Sequence, residues 1–350
     1  MKNPVTEPAR SALDLRHVRA RLEYLYELEP TDELTVELLA GGRSNLTFQL
    51  SSPTRTWILR RPPLGQRLDT AHDMSREVTV QRALAGSAVP VPRIVYFHDA
   101  KYPDEPYYVM DKIEGTVLRT DADFAAVHPD SRLALSNAYI DCLAALHTCD
   151  YRNLARTGFG RPDGFLERQV RRWSKQLAAS ASRDVRPVEE LGRQLAARIP
   201  QRSASAIVHG DFRFDNAIVT LGERPAIGAV LDWEMSTIGD PLTDLGLVYL
   251  FWSGWAGIDN PIAGTPAAHP GYPTFDDLLE RYCRATEFTV DSLTWYCAFA
   301  FYKMAVILEG INSRFNTGET VGDGFDTIGA MVWPLAERGL ATLSRSASHL

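Results

Sequence analysis

The chain predicts an α+β protein of two lobes, sheet-rich first and helix-rich second. Three observations carry that expectation. Short segments of strand character crowd residues 1–115, and helical periodicity dominates residues 116–350. A turn-rich acidic motif with short strands on both sides interrupts the helical part.

The elements follow in order. Leu13 to Glu29 has helical spacing, with Leu15, Val18, Leu22, Leu25 and Tyr26 on one stripe. Three strands are expected at Leu34–Ala40, Leu46–Ser51 and Arg55–Arg61, joined by Gly41-Gly42-Arg43-Ser44-Asn45 and Ser52-Pro53-Thr54. Pro62-Pro63 ends the third, because proline cannot extend the ladder. Ala71–Ala85 reads as a helix broken by Val89-Pro90-Val91-Pro92. Strands at Ile94–His98 and Tyr107–Ile113 then end at Glu114-Gly115. Beyond them, Arg132–Thr148, Gly164–Ala179, Val188–Ile199, Pro241–Trp255, Thr274–Thr286, Val290–Ser313 and a segment from about Thr327 are helical.

With 350 residues the chain is long enough for one large or two smaller domains. Its 45% apolar and 23% charged content is that of a globular protein. A net charge of −7 without a basic stripe argues against nucleic acid as a partner. The four cysteines form no C-x-x-C pair and no zinc spacing, which suits reduced thiols in a cytoplasmic protein. Residues 1–10 hold no apolar run of a signal peptide. Leu293–Leu308 is short and carries Lys303, so a buried helix is expected there rather than a membrane span. Oligomeric state is left open.

The informative motif is His209-Gly210-Asp211-Phe212-Arg213-Phe214-Asp215-Asn216, followed after an apolar strand by Asp232-Trp233-Glu234. Phosphoryl transfer from Mg-ATP needs one carboxylate to orient the attacking hydroxyl and oxygen ligands to hold metal on the phosphates. Asp211 fits the first role. Asn216 offers a neutral oxygen and Asp232 a charged one, a mix suited to a hard cation such as magnesium. Ala217–Thr220 and Ile227–Leu231 can pair as a hairpin that returns Asp232 toward Asn216. The bland alternative is a polar turn, disfavoured by the full spacing and the flanking strands. Arg213 is either a γ-phosphate contact or a surface charge, and His209 is expected to anchor the loop backbone.

Earlier in the chain, the Gly41–Asn45 turn could cradle phosphate oxygens with its backbone N–H groups and with the Ser44 hydroxyl. Alone, it reads first as an ordinary hairpin turn. Arg60 ends the third strand and Glu77 lies in the next helix, an arrangement that fixes a cation for the α/β-phosphates. Arg61 is the rival cation, and on a strand only one of the two can face the cleft. The alternative is a solvated Arg–Glu pair of little energetic consequence.

His209–Asn216 together with Asp232 resembles the signature of the aminoglycoside phosphotransferase-like kinases, relatives of protein kinases and choline kinases. The similarity runs from about Glu33 to beyond Tyr302. It implies a protein-kinase-like two-lobed fold, with a small antiparallel N-lobe over 1–115 that binds nucleotide and a larger helical C-lobe over 116–350. ATP and Mg²⁺ are the implied cofactors. The catalytic Asp falls on Asp211, and the metal-binding residues fall on Asn216 and Asp232. The strand lysine and its helix partner fall on Arg60 and Glu77. The hinge that binds adenine through backbone atoms falls on Met110-Asp111-Lys112-Ile113, and Asp244 matches a carboxylate that stabilises the catalytic loop. Two residues depart from the pattern: arginine stands at position 60 in place of lysine, and Glu234 stands where protein kinases have glycine.

Trp57–Pro63, Gly164–Gln169 and Ile307–Ile311 look closest to a branch that includes kinase-like domains fused to some acyl-CoA dehydrogenases. That resemblance implies a small-molecule kinase acting on a hydroxyl of an acyl metabolite. The late aromatics Trp252, Trp255, Trp295, Tyr296, Phe299, Phe301 and Tyr302 suit such an acceptor better than a polycation, though most of them are expected to be helix core. Lys303 and Arg314 are candidates to meet an anionic group of the acceptor. Two alternatives stand beside this reading: an aminoglycoside or other antibiotic O-phosphotransferase, and a nucleotide-binding pseudokinase module. Gly158-Phe159-Gly160 lacks the preceding strand of a dinucleotide site, and no G-x-x-x-x-G-K-[ST] occurs.

Overall fold

The computed structural model of the chain describes residues 14–39, 45–62, 74–100, 106–201, 204–258, 260, 262–288, 290, 292–318 and 326–345. These fall into two compact units. One comprises the described residues within Met1–Ala85, Val91–Glu114 and Leu231–Glu234; the other comprises those within Gly86–Pro90, Gly115–Val230 and Met235–Leu350.

The first unit is built on an antiparallel five-stranded sheet in the order β1-β2-β3-β5-β4, from β1 (Thr35–Leu38), β2 (Leu46–Ser51), β3 (Thr56–Arg61), β4 (Ile94–His98) and β5 (Tyr107–Asp111). Side chains alternate between its faces. Phe48, Leu50, Trp57, Leu59, Tyr107 and Val109 pack with Val18 and Leu22 of helix α1 (Leu15–Tyr24). Full burial of each large apolar side chain contributes about 1.5–3 kcal/mol. On the other face, Tyr108 and Met110 pack with Met74 and Val78 of helix α2 (Met74–Leu84). Arg60 is paired with Tyr108 in the β3–β5 register, so it shares this second face with α2.

The first helix is shorter than the periodicity suggested. Helix α1 ends at Tyr24, and Tyr26 takes a left-handed φ of 58° and is 95% exposed. The left-handed residue turns the chain off the helical stripe, and buried Leu28 supplies the next core contact instead.

The second unit is mainly helical. Its longer helices are α4 (Pro129–Thr148), α6 (Phe165–Ser180), α7 (Arg186–Ala197), α9 (Phe275–Thr286), α10 (Thr294–Asn316) and α11 (Val332–Ser344). Two short helices that periodicity did not reveal are α3 (Asp121–Ala126) and α5 (Arg152–Arg156). The expected helix at Pro241–Trp255 is α8 (Leu242–Tyr249), followed by a wider π-type turn at Leu250–Gly254. Gly246 of α8 lies so close to α10 that a Cβ there would run into the Tyr296 carbonyl. Two small ladders carry the motif: β6 (Ala206–Val208) pairs with β9 (Thr237–Gly239), and β7 (Ala217–Thr220) pairs with β8 (Ala226–Val230). Among the described residues, no helix is long and apolar enough to cross a membrane.

Candidate active site

The His209–Asn216 loop joins β6 to β7 and closes in a single 3-10 turn at Phe214–Asn216. Phe212 and Phe214 are buried against Tyr139 of α4; the Phe214 ring stacks on that of Tyr139 at 4.2 Å, and the Tyr139 hydroxyl donates to the Phe212 carbonyl at 3.2 Å. The intervening Asp211, Arg213 and Asp215 are only partly buried and pair with one another. Arg213 lies 3.1 Å from Asp215 and 3.6 Å from Asp211, with its guanidinium 4.9 Å over the Phe251 ring. The aromatic pair thus roots the loop while the charged residues remain approachable.

Asn216 Nδ2 donates to both the Asp211 carbonyl (2.9 Å) and Asp211 Oδ2 (2.8 Å). Burial would raise the Asp211 carboxyl, yet Arg213, Lys303, His209 and the Asn216 amide outweigh it and hold it below the usual carboxylate range. Asp211 is therefore an anion at neutral pH, a hydrogen-bond acceptor ready for a hydroxyl.

Asp244, at the start of α8, is wholly buried beneath this loop. Its carboxylate accepts the His209 N–H at 2.7 Å and the Gly210 N–H at 2.9 Å. His147 Nε2 stands 3.2 Å from the same carboxylate, and its Nδ1 stands 2.7 Å from the Tyr282 hydroxyl. Burial opposes the charge on Asp244, but His147 and the loop contacts prevail and keep its pKa lowered. Gly210 has φ of +81°, where a Cβ would lie 2.7 Å from the Met235 carbonyl. Lys303, which sequence suggested for an anionic acceptor group, is committed elsewhere: it is buried, and its ammonium donates to the Gly210 carbonyl.

In the sheet unit, Arg60 Nη1 is 2.7 Å from Glu77 Oε2, and Arg60 Nη2 is 3.2 Å from Asp232 Oδ1. Glu77 also accepts from Tyr108 Oη (2.7 Å) and Asn45 Nδ2 (3.2 Å). The pair is buried, not the solvated surface contact that was its alternative. Arg61 is buried as well. Asp232 sits at φ 64°, a left-handed conformation that aspartate tolerates better than most residues. One oxygen from each of Glu77, Asp232 and Glu234 lies within 4.8 Å of the others, and Asn45 Nδ2 reaches Glu234 at 3.4 Å.

For a magnesium ion the available donors are hard oxygens, as the ion demands. In the helical unit, with Nδ2 of Asn216 given to Asp211, its Oδ1 is the atom suited to a cation; in the sheet unit, Glu77, Asp232 and Glu234 bring carboxylates. In the expected hinge, Met110 is buried in β5, and the Asp111 N–H donates to the Arg93 carbonyl at 3.0 Å. The Asp111 carboxylate is bound bidentately by Arg93, while Ile113 lies just past the strand and is partly buried. Ser44 lies outside the described residues.

Beside the loop, a small cleft is lined by Phe124, Tyr139, Phe214, Phe251 and Trp252, with Arg213 and Asp215 as its charged groups.

Comparison with known proteins gives this arrangement a family. Residues 35–296 match the model described as the phosphotransferase enzyme family. The chain belongs to that family. Acyl-CoA dehydrogenase family member 11 of Gallus gallus is 36% identical over 324 residues, covering 91% of this chain and 41% of the relative. The chain therefore spans about two fifths of the length of the first curated relatives it matches. A Ralstonia eutropha protein, named provisionally as an aminoglycoside phosphotransferase, superposes with a TM-score of 0.80 at 30% identity, covering 94% of this chain and 98% of that one. Aminoglycoside phosphotransferase APH(4)-Ia, in ternary complex with ADP and hygromycin B, gives a TM-score of 0.62 at 14% identity over 94% and 99% of the two chains. At that identity the likeness is one of fold. The α+β, protein-kinase-like class expected from the sequence is thus the fold of this phosphotransferase family member.

Several residues of the arrangement escaped sequence reasoning. His147, Tyr282 and Tyr108 lie far along the chain from the groups they bind, and none stands in a motif. Glu234 was noted only as a departure, although its two-residue spacing from Asp232 was a usable signal.

Proposed function

We propose that the chain is an ATP- and magnesium-dependent phosphotransferase that phosphorylates a hydroxyl of a small hydroxyacyl metabolite. The observation that carries the reading is the double hydrogen bond from Asn216 to Asp211, on a loop whose preceding amides are both held by Asp244. That arrangement fixes an ionised carboxylate with one loop asparagine and a nearby arginine, which is what orienting an acceptor hydroxyl for phosphoryl transfer requires.

In this reading Asp211 accepts the hydroxyl hydrogen bond and takes the proton as the acceptor oxygen bonds to the γ-phosphorus and the P–O bond to the β-phosphate of ATP breaks, releasing ADP. Arg213 offers positive charge toward the transferred phosphoryl group. In the sheet unit, Arg60 meets the nucleotide phosphates while Glu77, itself bound by Tyr108 and Asn45, holds it, and the Met110, Asp111 and Ile113 backbone receives the base. Ser44 adds a phosphate contact. Asn216 and Asp232 are the proposed magnesium ligands, and the ion would neutralise charge on the phosphates.

The acyl assignment draws support from relatives named as acyl-CoA dehydrogenase family members and from the aromatic lining of the pocket beside Arg213. A polycationic aminoglycoside calls for several carboxylates, and among the described residues that lining has one, Asp215. The test is ADP release on incubation with hydroxy acids, hydroxyacyl-CoA esters, choline analogues and aminoglycosides. Turnover is expected with a hydroxyacyl compound. Faster turnover with an aminoglycoside would overturn the acceptor class, and Mg²⁺-independent nucleotide binding without turnover of any acceptor would favour a pseudokinase module.

A further inference from the structure

Lys303 carries its ammonium from α10 into the interior of the helical unit. The residue is 6% exposed, its Nζ donates to the Gly210 carbonyl, and it lies 5.6 Å over the Trp173 indole. A buried ammonium costs free energy unless charges and hydrogen bonds compensate it. Here burial pulls the Lys303 pKa below its usual value; Asp211 and Asp244 favour the charged form, and Arg172 and Arg213 oppose it. A leucine or methionine would fill the same space at no electrostatic cost, so the position of the charge asks for an explanation.

The Gly210 carbonyl and the Asp211 N–H belong to one planar peptide unit. Lys303 holds its oxygen, and His209 Nδ1 stands 3.2 Å from its nitrogen. Asp244 holds the N–H of the preceding peptide at 2.9 Å. Both polar atoms of the unit leading into Asp211 are therefore gripped, from α10 on one side and from within the loop on the other. Rotation of that unit about the flexible Gly210 would swing the Asp211 Cα and its carboxylate away from Asn216 and Arg213.

We infer that Lys303 is a positioning residue for phosphoryl transfer: by holding the Gly210 carbonyl it sets the orientation of Asp211. The inference rests on the function proposed above and assigns no contact between Lys303 and substrate. Because misplacement by about an ångström can cost on the order of a hundredfold in rate, Lys303→Met should lower kcat by roughly that factor. The KM and Kd for nucleotide should stay within about twofold, since the nucleotide contacts assigned to the sheet unit are untouched. Lys303→Arg, which can still donate to the carbonyl, should recover most of the loss. A purely structural lysine would lower thermal stability without this separation of kcat from KM and without rescue by arginine. Should the methionine variant not fold, Lys303→Gln, which keeps the site polar but removes the charge and shortens the reach, should show the same fall in kcat.

A folded Met or Gln variant with kcat within about twofold of the parent overturns the inference. Asp211→Ala, assayed in parallel, separates the two levels. If it turns over like the parent, the proposed function fails; if it is inactive while Lys303→Met is unaffected, only the role of Lys303 fails.

Discussion

Arg60 Nη1 lies 2.7 Å from Glu77 Oε2, with the glutamate side chain wholly buried and the arginine one-tenth exposed. A lysine is a point charge that could satisfy Glu77 alone, whereas the guanidinium fork reaches Glu77 and Asp232 together. Removing one partner of a buried pair leaves an uncompensated charge. Glu77→Gln is therefore expected to lower unfolding free energy by about 3 kcal/mol, measured by urea denaturation. A cost indistinguishable from zero would place the pair among solvent-screened contacts, contrary to its burial.

That contact shows why part of the molecule was legible in the sequence. Alternation along a strand and proximity to the next helix bring Arg60 and Glu77 together on paper, and the strands Leu46–Ser51 and Ile94–His98 were read with the bounds they have. Short-range pattern suffices for such features. Tyr26 was misplaced because one left-handed residue ends a stripe without leaving a compositional mark. Lys303 and His147 were opaque for another reason. Their partners, Gly210 and Asp244, lie 93 and 97 residues away in sequence, so only the packing of α10, α8 and α4 brings them together.

Asp240 makes stability depend on pH. Burial raises its carboxyl from 3.8 to about 6, against the opposing hydrogen bonds from Tyr296 and the Leu242 N–H. Because the folded pKa exceeds the unfolded one, the folded state holds the extra proton between these values. Stability therefore falls as pH rises from 3.8 through 6 and levels off above. Two units correspond to about 3 kcal/mol. Asp240→Asn removes the titration, so between pH 4 and pH 7 the stability difference should move in favour of the variant by up to about 3 kcal/mol. Chemical denaturation at four or five pH values checks it, and a flat difference would contradict it.

Gly210→Ala should be costly out of proportion to one methyl group. The left-handed φ alone costs about 1–2 kcal/mol, and the new Cβ would meet the Met235 carbonyl at 2.7 Å. Relief requires the loop to move off Asp244. The expected outcome is a lower Tm together with a fall in kcat of at least about tenfold; unchanged kcat in the folded variant would show that loop conformation does not govern turnover.

Asp244→Ala tests the support under the loop from below. It removes the acceptor for two loop amides and for His147. Loss of about 3 kcal/mol or more in stability is expected, since buried donors are left unsatisfied, with turnover reduced on the order of a hundredfold. Denaturation and steady-state kinetics on the same preparation check both.

The central claim is that the Asp211 carboxylate orients the acceptor hydroxyl for phosphoryl transfer. The most direct measurement compares turnover and nucleotide affinity of Asp211→Ala with the parent, using an acceptor found by ADP release. The account predicts turnover lower by at least ~10² with nucleotide affinity largely kept. Equal turnover in the two proteins would contradict it.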